Sequence, residues 1–315
     1  MTFKGKAPGY LLGAVAAASY GLNPTFALPL YADGMNPDSV LLLRYGMAIP
    51  MVAIMAVMRG RNFRIPKQGI LPIAILGLMM ALSSLTLFIS YNYMAAGIAS
   101  TLLFVYPLMV AIIMALFCHE KISLHTILCI LMASVGIFLL YNTGNGGTLS
   151  LTGTLIVMAS ALFYAIYMVA INQKRLSSIA TLTVTFWVLL SGSLLFAGRL
   201  VCGVNEFTLP TKWYLWLDAA ALALFPTVIS LVCTTRAIQI IGPTPTAILG
   251  ALEPLTAVVM GIILFNEGMT RREAAGIILI LTAVSFVVAY GASNGSAITK
   301  HLTRFRHMFP KLKRK

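Results

Sequence analysis

The sequence predicts an all-α polytopic membrane protein with ten transmembrane helices, arranged as two inverted five-helix repeats. Three observations lead to this fold class. The 315 residues are 59% hydrophobic and only 10% charged, with a mean hydropathy of +0.92, whereas about a quarter of the residues of a soluble domain are charged. The apolar runs are about 18–25 residues long and return about every 30 residues, as expected for helices that cross a bilayer. Two ordered motifs also recur along the chain.

Ten apolar spans can be assigned and are numbered 1 to 10 in chain order. They cover approximately residues 9–31, 39–58, 69–92, 96–118, 124–141, 151–171, 179–201, 213–237, 244–265 and 273–291. The connections are short, so an appended soluble catalytic domain is not expected. Span 1 follows Lys4 and Lys6 and contains Ala16-Ala17-Ala18, which could pass for a signal-peptidase site. Because the apolar run continues to Tyr31, we expect a retained helix.

The distribution of basic residues predicts the orientation. Ten spans place both termini on one side of the membrane, and that side would carry sixteen Lys and Arg residues against four on the other. We expect the protein to lie in the inner membrane. The positive-inside rule then places both termini in the cytoplasm. The net charge of +14 resides between spans and in the tail at 293–315. This pattern favours contact with anionic lipid over nucleic-acid binding.

Two motifs occur twice and mark an internal repeat. Tyr106-Pro107-Leu108 precedes Glu120, and Glu253-Pro254-Leu255 precedes Glu267, each acid thirteen residues after its proline, with an offset of 147. "GYLLGAVAAASYGLN" at 9–23 also matches "GTLIVMASALFYAIY" at 153–167, with an offset of 144. Five spans per copy is an odd number, so the second copy enters the membrane from the opposite side, as in many secondary transporters. We divide the chain into repeats at 1–145 and 146–292 and a basic cytoplasmic tail at 293–315.

Both copies resemble the EamA repeat of the drug/metabolite transporter (DMT) superfamily. The resemblance rests on "YPLMVAIIMALFCHEKIS" and "EPLTAVVMGIILFNEGMT", on "SYGLNPTFA" in span 1, and on the arginine of "LLLRYGMAIP" in span 2. It covers about residues 9–291, nearly the whole chain. It implies ten spans, cytoplasmic termini, and export or uptake of small metabolites through a central cavity. It does not fix the substrate, and Tyr20 stands where many relatives carry tryptophan.

The sequence contains no convincing enzyme or metal motif. "HEKISLH" places His119, Glu120 and His125 near a zinc signature, but histidines six residues apart lie on different faces of a helix. A capping role at the end of the span is the simpler explanation for Glu120. The four cysteines form no CxxC pair and read as small buried hydrophobic residues. We therefore expect no cofactor.

Polar and aromatic residues at matched positions of the repeats predict a substrate site. A two-fold axis in the membrane plane would bring these positions toward one cavity near the midplane. The predicted substrate-binding set is Tyr20 and Asn23 of span 1, Tyr164 and Tyr167 of span 6, Tyr106 of span 4, Glu253 of span 9, and Asn92 at the cavity rim. The alternative is that the tyrosines pack between helices or lie at the membrane interface.

Glu253 lies near the centre of span 9, sixteen uncharged residues after Arg236 and thirteen before Glu267. A lone charge at that depth costs at least about 2.5–3.5 kcal/mol. Protonation, a basic partner or a wet cavity could retain it, and no Lys or Arg lies centrally in another span. Two hypotheses remain open. The carboxyl contacts an amino group of the substrate or exchanges a proton, or a neutral carboxyl bonds a carbonyl freed by Pro254.

Prolines and one arginine interrupt the apolar pattern. Pro24, Pro107, Pro226 and Pro254 lie inside spans, where each removes a backbone hydrogen bond and can kink the helix. Arg44 lies about 8 Å into span 2. We expect its long side chain to reach outward toward Asp33 or Asp38; direct contact with substrate is the alternative.

The function predicted from these features is that of a secondary transporter. It would export a small polar or amphipathic metabolite, such as an amino acid, by alternating access, as a monomer among membrane lipids, with protons as candidate co-substrates. The rivals are a membrane-embedded enzyme and a non-transporting receptor or assembly subunit. Solute flux into liposomes that contain only the purified protein would favour the transporter.

The orientation is testable by cysteine labelling of intact cells, in a variant that lacks the native cysteines. Cysteines introduced in 60–67 or 300–315 should be shielded from an impermeant thiol reagent, because these segments lie on the side with sixteen basic residues. Cysteines at 34–37 or 145–148 should react. The opposite labelling pattern would overturn the predicted orientation.

Overall fold

The computed structural model describes residues 3–94, 96–118, 124–140, 150–172, 179–265, 271–272, 274–283 and 286. Within those ranges every regular element is helical. His119, Glu120, Glu267, the basic tail and the boundary between the repeats at residue 145 lie outside the described residues. The division of the chain at that boundary therefore stays a prediction.

Each predicted span contains helix. The helices are Phe3–Tyr20 and Asn23–Ala32 in span 1, Pro37–Met58 in span 2, Lys67–Ser90 in span 3, Ala96–Leu103 and Tyr106–Cys118 in span 4, Leu124–Leu140 in span 5, Leu151–Ala170 in span 6, Thr181–Val201 in span 7, Trp213–Ala223 followed by a π-helix at Leu224–Ile229 and Ser230–Ile241 in span 8, Pro243–Leu249 and Leu252–Phe265 in span 9, and Ala274–Ala283 in span 10. Six of the described helical segments are long and apolar enough to cross a membrane. The predicted all-helical membrane fold is confirmed.

Spans 1, 4 and 9 are each broken into two helices, and each break precedes a proline. The second helices begin at Asn23, Tyr106 and Leu252, one or two residues before Pro24, Pro107 and Pro254. Proline fits the first turn of a helix because its missing N–H has no acceptor there. Span 6, the counterpart of span 1, has Met168 at the position of Pro24 and is continuous. Pro50 and Pro72 lie inside the continuous helices of spans 2 and 3, so a proline does not by itself break a span.

The fourth proline, Pro226, lies in the π-helix of span 8. Pro226 cannot donate to the carbonyl of Leu222 four residues earlier. The hydroxyl of Thr227 donates to that carbonyl instead, at 2.9 Å. The wider turn thus accommodates the proline without leaving this backbone oxygen unpaired.

Helix packing follows the repeat. Span 3 packs along span 6, and its counterpart, span 8, packs along span 1. Span 4 likewise contacts span 6 while span 9 contacts span 1, and spans 2 and 7, which are counterparts of each other, pack together. Each repeat therefore places its first span against the other repeat, and the two halves interlock around one buried core.

Polar contacts join the two repeats at the end of the bundle opposite the amino terminus. The buried carboxylate of Asp38 accepts from Arg199 at 2.7 Å and from Asn205 at 2.5 Å. The exposed carboxylate of Asp33 accepts from the hydroxyl and the backbone N–H of Thr211. Both hydrogen bonds lower the pKa of Asp33, and the one from the Thr211 hydroxyl has the larger effect. These hydrogen bonds link the loop between spans 1 and 2 to the loop between spans 7 and 8.

Candidate functional site

The carboxyl group of Glu253 meets the hydroxyl of Tyr106, its counterpart in the other repeat. The Tyr106 hydroxyl donates to Oε1 of Glu253 at 3.3 Å, and the two residues are 147 positions apart, the offset of the repeat. Each lies in the first turn of a helix that restarts inside its span. Glu253 is ten residues from Pro243, where the first helix of span 9 begins, and twelve from Phe265, where the second ends, about 15–18 Å either way at helical rise. The contact therefore lies near the middle of the span.

A second pair of counterparts also touches. The rings of Tyr20 and Tyr164, 144 positions apart, stack with centroids 6.0 Å apart and planes at 11°. Tyr167 continues the stack on Tyr164 at 6.2 Å and 7°. Tyr106 meets Tyr164 edge to face at 4.8 Å. Because both pairs are equivalent positions in direct contact, the pseudo-two-fold axis passes between them.

Two glycines allow this close approach. A Cβ on Gly250 would occupy the position of the Tyr106 hydroxyl, and a Cβ on Gly21 would meet the carbonyl oxygen of Glu253. Gly21 lies at the break in span 1 and Gly250 at the break in span 9. The two breaks thus pack against the same acidic residue.

A small cavity of about 10 Å³ adjoins the contact between the repeats. It is lined by Tyr20, Gly21, Asn23, Pro24, Leu87, Tyr91, Ser100, Leu103 and Glu253. That volume suits about one water molecule. A metabolite can enter only if the surrounding helices move apart.

Asn23 and Glu253 contribute an amide and a carboxyl group to the lining of this cavity. Asn23 is 2% exposed, and neither its Oδ1 nor its Nδ2 has a hydrogen-bond partner within the part of the chain that the structure describes. Unpaired buried amides are costly, so this side chain is available to a polar guest. Glu253 is 8% exposed and pairs with no cation: the one ion pair among the described residues joins Asp38 to Arg199.

The surroundings of Glu253 act on its charge in opposite directions. Burial disfavours the ionised form, whereas a position at the amino terminus of a helix favours it. The carboxyl can accept the Tyr106 hydrogen bond in either form. The described residues contain no group of three His, Cys, Asp or Glu side chains that could hold a metal. The arrangement can therefore receive an amino group or hold a proton.

The expectation for Arg44 is wrong. Its side chain is fully buried and turns away from Asp33 and Asp38. Nε donates to the hydroxyl of Thr227 at 2.5 Å, and Nη2 donates to the carbonyl of Pro226 at 3.1 Å. The π-helix of span 8 supplies acceptors inside the protein, and Asp38 already has Arg199 as its partner.

Arg44 also approaches the aromatic residues of the site. Its Cζ lies 5.9 Å from the ring centroid of Tyr20 and 5.5 Å from that of Phe88, within the range of cation–π attraction. Nη1 has no hydrogen-bond partner among the described residues. Arg44 thus links the π-helix of the second repeat to the Tyr20 ring of the first.

The structure brings most of the predicted site residues together. Tyr20, Asn23 and Glu253 line the cavity, and Tyr106, Tyr164 and Tyr167 pack beside them. Asn92 lies in an exposed turn just after the helix Lys67–Ser90 and is not among the residues that line the cavity, so its role at the cavity rim stays a prediction. Sequence reasoning missed Tyr91 and Ser100. Both lie outside the two motifs that identify the repeat.

Comparison with known proteins gives consistent results. A profile of the EamA-like transporter family matches the chain twice, at residues 7–142 and 151–289. "Uncharacterized transporter sll1319" of Synechocystis sp. is 28% identical over 216 residues, which span 67% of this chain and 64% of the relative. "Uncharacterized transporter YvbV" of Bacillus subtilis is 23% identical over 233 residues, 67% of this chain and 70% of the relative. The match thus spans slightly less than two thirds of the Synechocystis protein.

A solved structure described as "Crystal structure of protein" has the same fold. It superposes with a TM-score of 0.76 at 18% sequence identity, over 91% of this chain and 98% of the other. At that identity the likeness concerns the fold alone. Together with the apolar helices and the relatives, it identifies a multi-pass membrane protein.

Gly250→Ala tests the contact between the repeats. The added methyl group would displace the Tyr106 hydroxyl, and overpacking of this kind costs about 1–3 kcal/mol. We expect a lower midpoint of thermal unfolding for the purified variant. Gly198→Ala is the matched control, because a Cβ there has no neighbour within 4 Å, and it should leave the midpoint unchanged or higher.

The double variant Gly250→Ala/Tyr106→Phe sharpens the test. Removing the hydroxyl relieves part of the clash, so Gly250→Ala should be less damaging in the Tyr106→Phe background than in the parent protein. Strictly additive effects of the two substitutions would contradict the contact.

Proposed function

Because the chain belongs to the EamA-like transporter family, we propose that it is a secondary transporter that exports a small polar or amphipathic metabolite, such as an amino acid, by alternating access. The contact between Tyr106 and Glu253 is the observation that carries this proposal. It places an ionisable group where the two repeats meet, at the depth at which inverted-repeat transporters bind their substrates.

The packing supports an alternating mechanism. A cavity of about 10 Å³ is too small for a metabolite, so transport would require the helices around it to move apart. Asp38, Arg199 and Asn205 join the repeats at the end opposite the amino terminus, and these polar contacts would separate when that end opens. Repeats of related fold can exchange conformations, so that opening at one end accompanies closure at the other.

The chemistry of the site favours a substrate with an amino group. The carboxyl of Glu253, which pairs with no cation among the described residues, can accept hydrogen bonds from an ammonium group. The unpaired amide of Asn23 can both donate and accept. The proposed substrate-binding residues are Tyr20, Asn23, Tyr106, Tyr164, Tyr167 and Glu253, with Asn92 at the rim. Glu253 also offers a site for a coupling proton.

The remaining features of the proposal follow from charge and hydropathy. Both termini would be cytoplasmic, since the side that carries the termini is predicted to hold sixteen basic residues against four on the other. The proposal also places the protein in the inner membrane as a monomer. A thermal-shift screen of the purified protein against metabolites would identify a ligand, because a ligand that binds the folded state raises its stability. Transport of that ligand would then be measured as efflux from cells and as flux into liposomes.

Tyr20→Trp and Tyr164→Trp should each block flux while leaving expression intact. The larger rings would fill the space between the repeats that must open around a substrate. Tyr214→Trp is the control, because Tyr214 is exposed and lies at the start of span 8, away from the cavity. Normal flux in both site variants would assign these tyrosines to packing alone.

Glu253→Gln should fold and insert normally but reduce transport at least about tenfold, or abolish its dependence on pH, because Gln keeps the size and hydrogen bonding of Glu and cannot ionise. Flux into liposomes between about pH 5 and 8 is the measurement. Glu206→Gln, at an exposed residue after span 7, is the matched control and should behave as the parent protein. Parent-like transport by Glu253→Gln across that range would assign the carboxyl a structural role.

A further inference from the structure

An open apolar groove runs along the surface where spans 3 and 7 meet. Its volume is about 550 Å³, and its lining includes Arg64, Ile70, Ala74, Trp187, Ser191 and Leu194. Spans 3 and 7 belong to different repeats and touch at Gly77, where a Cβ would meet the side chain of Ser191. The groove is therefore a furrow along the seam between the repeats, separate from the cavity at Glu253.

The loop that closes one end of the groove is firmly held. Nε1 of Trp187 donates to the carbonyl of Phe63 at 2.8 Å, and the hydroxyl of Thr183 donates to the carbonyl of Asn62 at 2.9 Å. The ring of Phe63 packs on that of Phe186, with centroids 4.7 Å apart. These contacts fix the backbone just before Arg64 against span 7. The groove is thus preformed.

Positive charge is concentrated at this end of the groove. Arg59, Arg61, Arg64 and Lys67 are all exposed, and no acidic residue lies among 59–67. None of the four forms an ion pair within the described residues, whose one ion pair joins Asp38 to Arg199. Arg64 alone among them lines the groove. An uncompensated cation thus lies beside an apolar furrow, on the side of the membrane predicted to be cytoplasmic.

We propose that this groove binds one anionic phospholipid of the cytoplasmic leaflet, with its phosphate on Arg64 and an acyl chain along Ile70, Ala74 and Leu194. From Trp187 to Leu194 the groove extends about 10 Å along span 7, roughly a third of the hydrocarbon thickness. The lining is mainly apolar, and its polar groups on span 7 are already hydrogen-bonded: the hydroxyl of Ser191 donates to the carbonyl of Trp187, and Nε1 of Trp187 donates to that of Phe63. The guanidinium of Arg64 can pair with phosphate in a bidentate manner. A lipid seated there contacts both repeats across their seam.

The test uses the delipidated, purified full chain in detergent. Phosphatidylglycerol should raise the midpoint of thermal unfolding and remain bound in native mass spectra, whereas phosphatidylcholine with the same acyl chains should bind more weakly. Arg64→Gln should weaken phosphatidylglycerol binding about fivefold, the factor expected for one basic side chain at an anionic lipid headgroup. Arg61→Gln, exposed in the same loop but outside the groove, is the matched control and should change binding much less.

A second variant tests the acyl chain. Ala74→Phe fills the groove from an exposed position, so it should reduce the binding of both lipids, whereas Ala275→Phe, at an exposed alanine of span 10, should not. Equal binding of the two lipids, or equal effects of Arg64→Gln and Arg61→Gln, would overturn the proposal. A midpoint shift of the same size with inorganic phosphate alone would also overturn it, in favour of a simple anion site.

Discussion

The hydrocarbon of a bilayer offers no partner to an unpaired backbone group, so a chain that crosses it must satisfy every such group within the protein. Three spans of this protein break, and a fourth widens into a π-helix. All four irregular stretches pack against other helices, and in the π-helix Pro226, Thr227 and Val228 are buried whereas Leu224 and Phe225 are exposed. At Pro226 the substitutes are visible: the Thr227 hydroxyl serves the carbonyl of Leu222, and Arg44 serves that of Pro226. The need to bury irregular backbone therefore determines where the polar centre of the molecule can form.

The two repeats are similar in their packing but differ in the residues that meet at their junction. Tyr106 faces Glu253, and Pro24 has Met168 as its counterpart. An acid at both central positions would place two carboxyls side by side, which disfavours ionisation of both. A phenol opposite one acid supplies a hydrogen-bond donor and adds no charge at neutral pH. The chemistry of the site therefore depends on where the internal symmetry is broken.

The sequence predicts features that depend on the spacing of residues along the chain. It does not predict contacts between residues that are far apart in the chain and lie outside the repeated motifs. The apolar spans follow from length and hydropathy, and the contacts of Tyr106 with Glu253 and of Tyr20 with Tyr164 follow from the offset of the repeat. Arg44 was assigned to Asp33 or Asp38 because those acids are near in sequence. Its partners, Pro226 and Thr227, lie 182 and 183 residues away. Tyr91 and Ser100 reach the cavity only because spans 3 and 4 pack against span 6, and no local pattern records that arrangement.

The pairing of Tyr106 with Glu253 has a consequence for how such a site can change over time. In a dimer of two identical five-helix subunits with this geometry, a residue on the axis would meet its own copy. Any substitution there would appear on both sides at once, so an acid could arise only as a facing pair of acids. Joining the two copies in one chain removes that restriction, because each side can then mutate alone. A single carboxyl on the axis at the centre of the membrane can therefore evolve in a fused chain but not in a symmetric dimer.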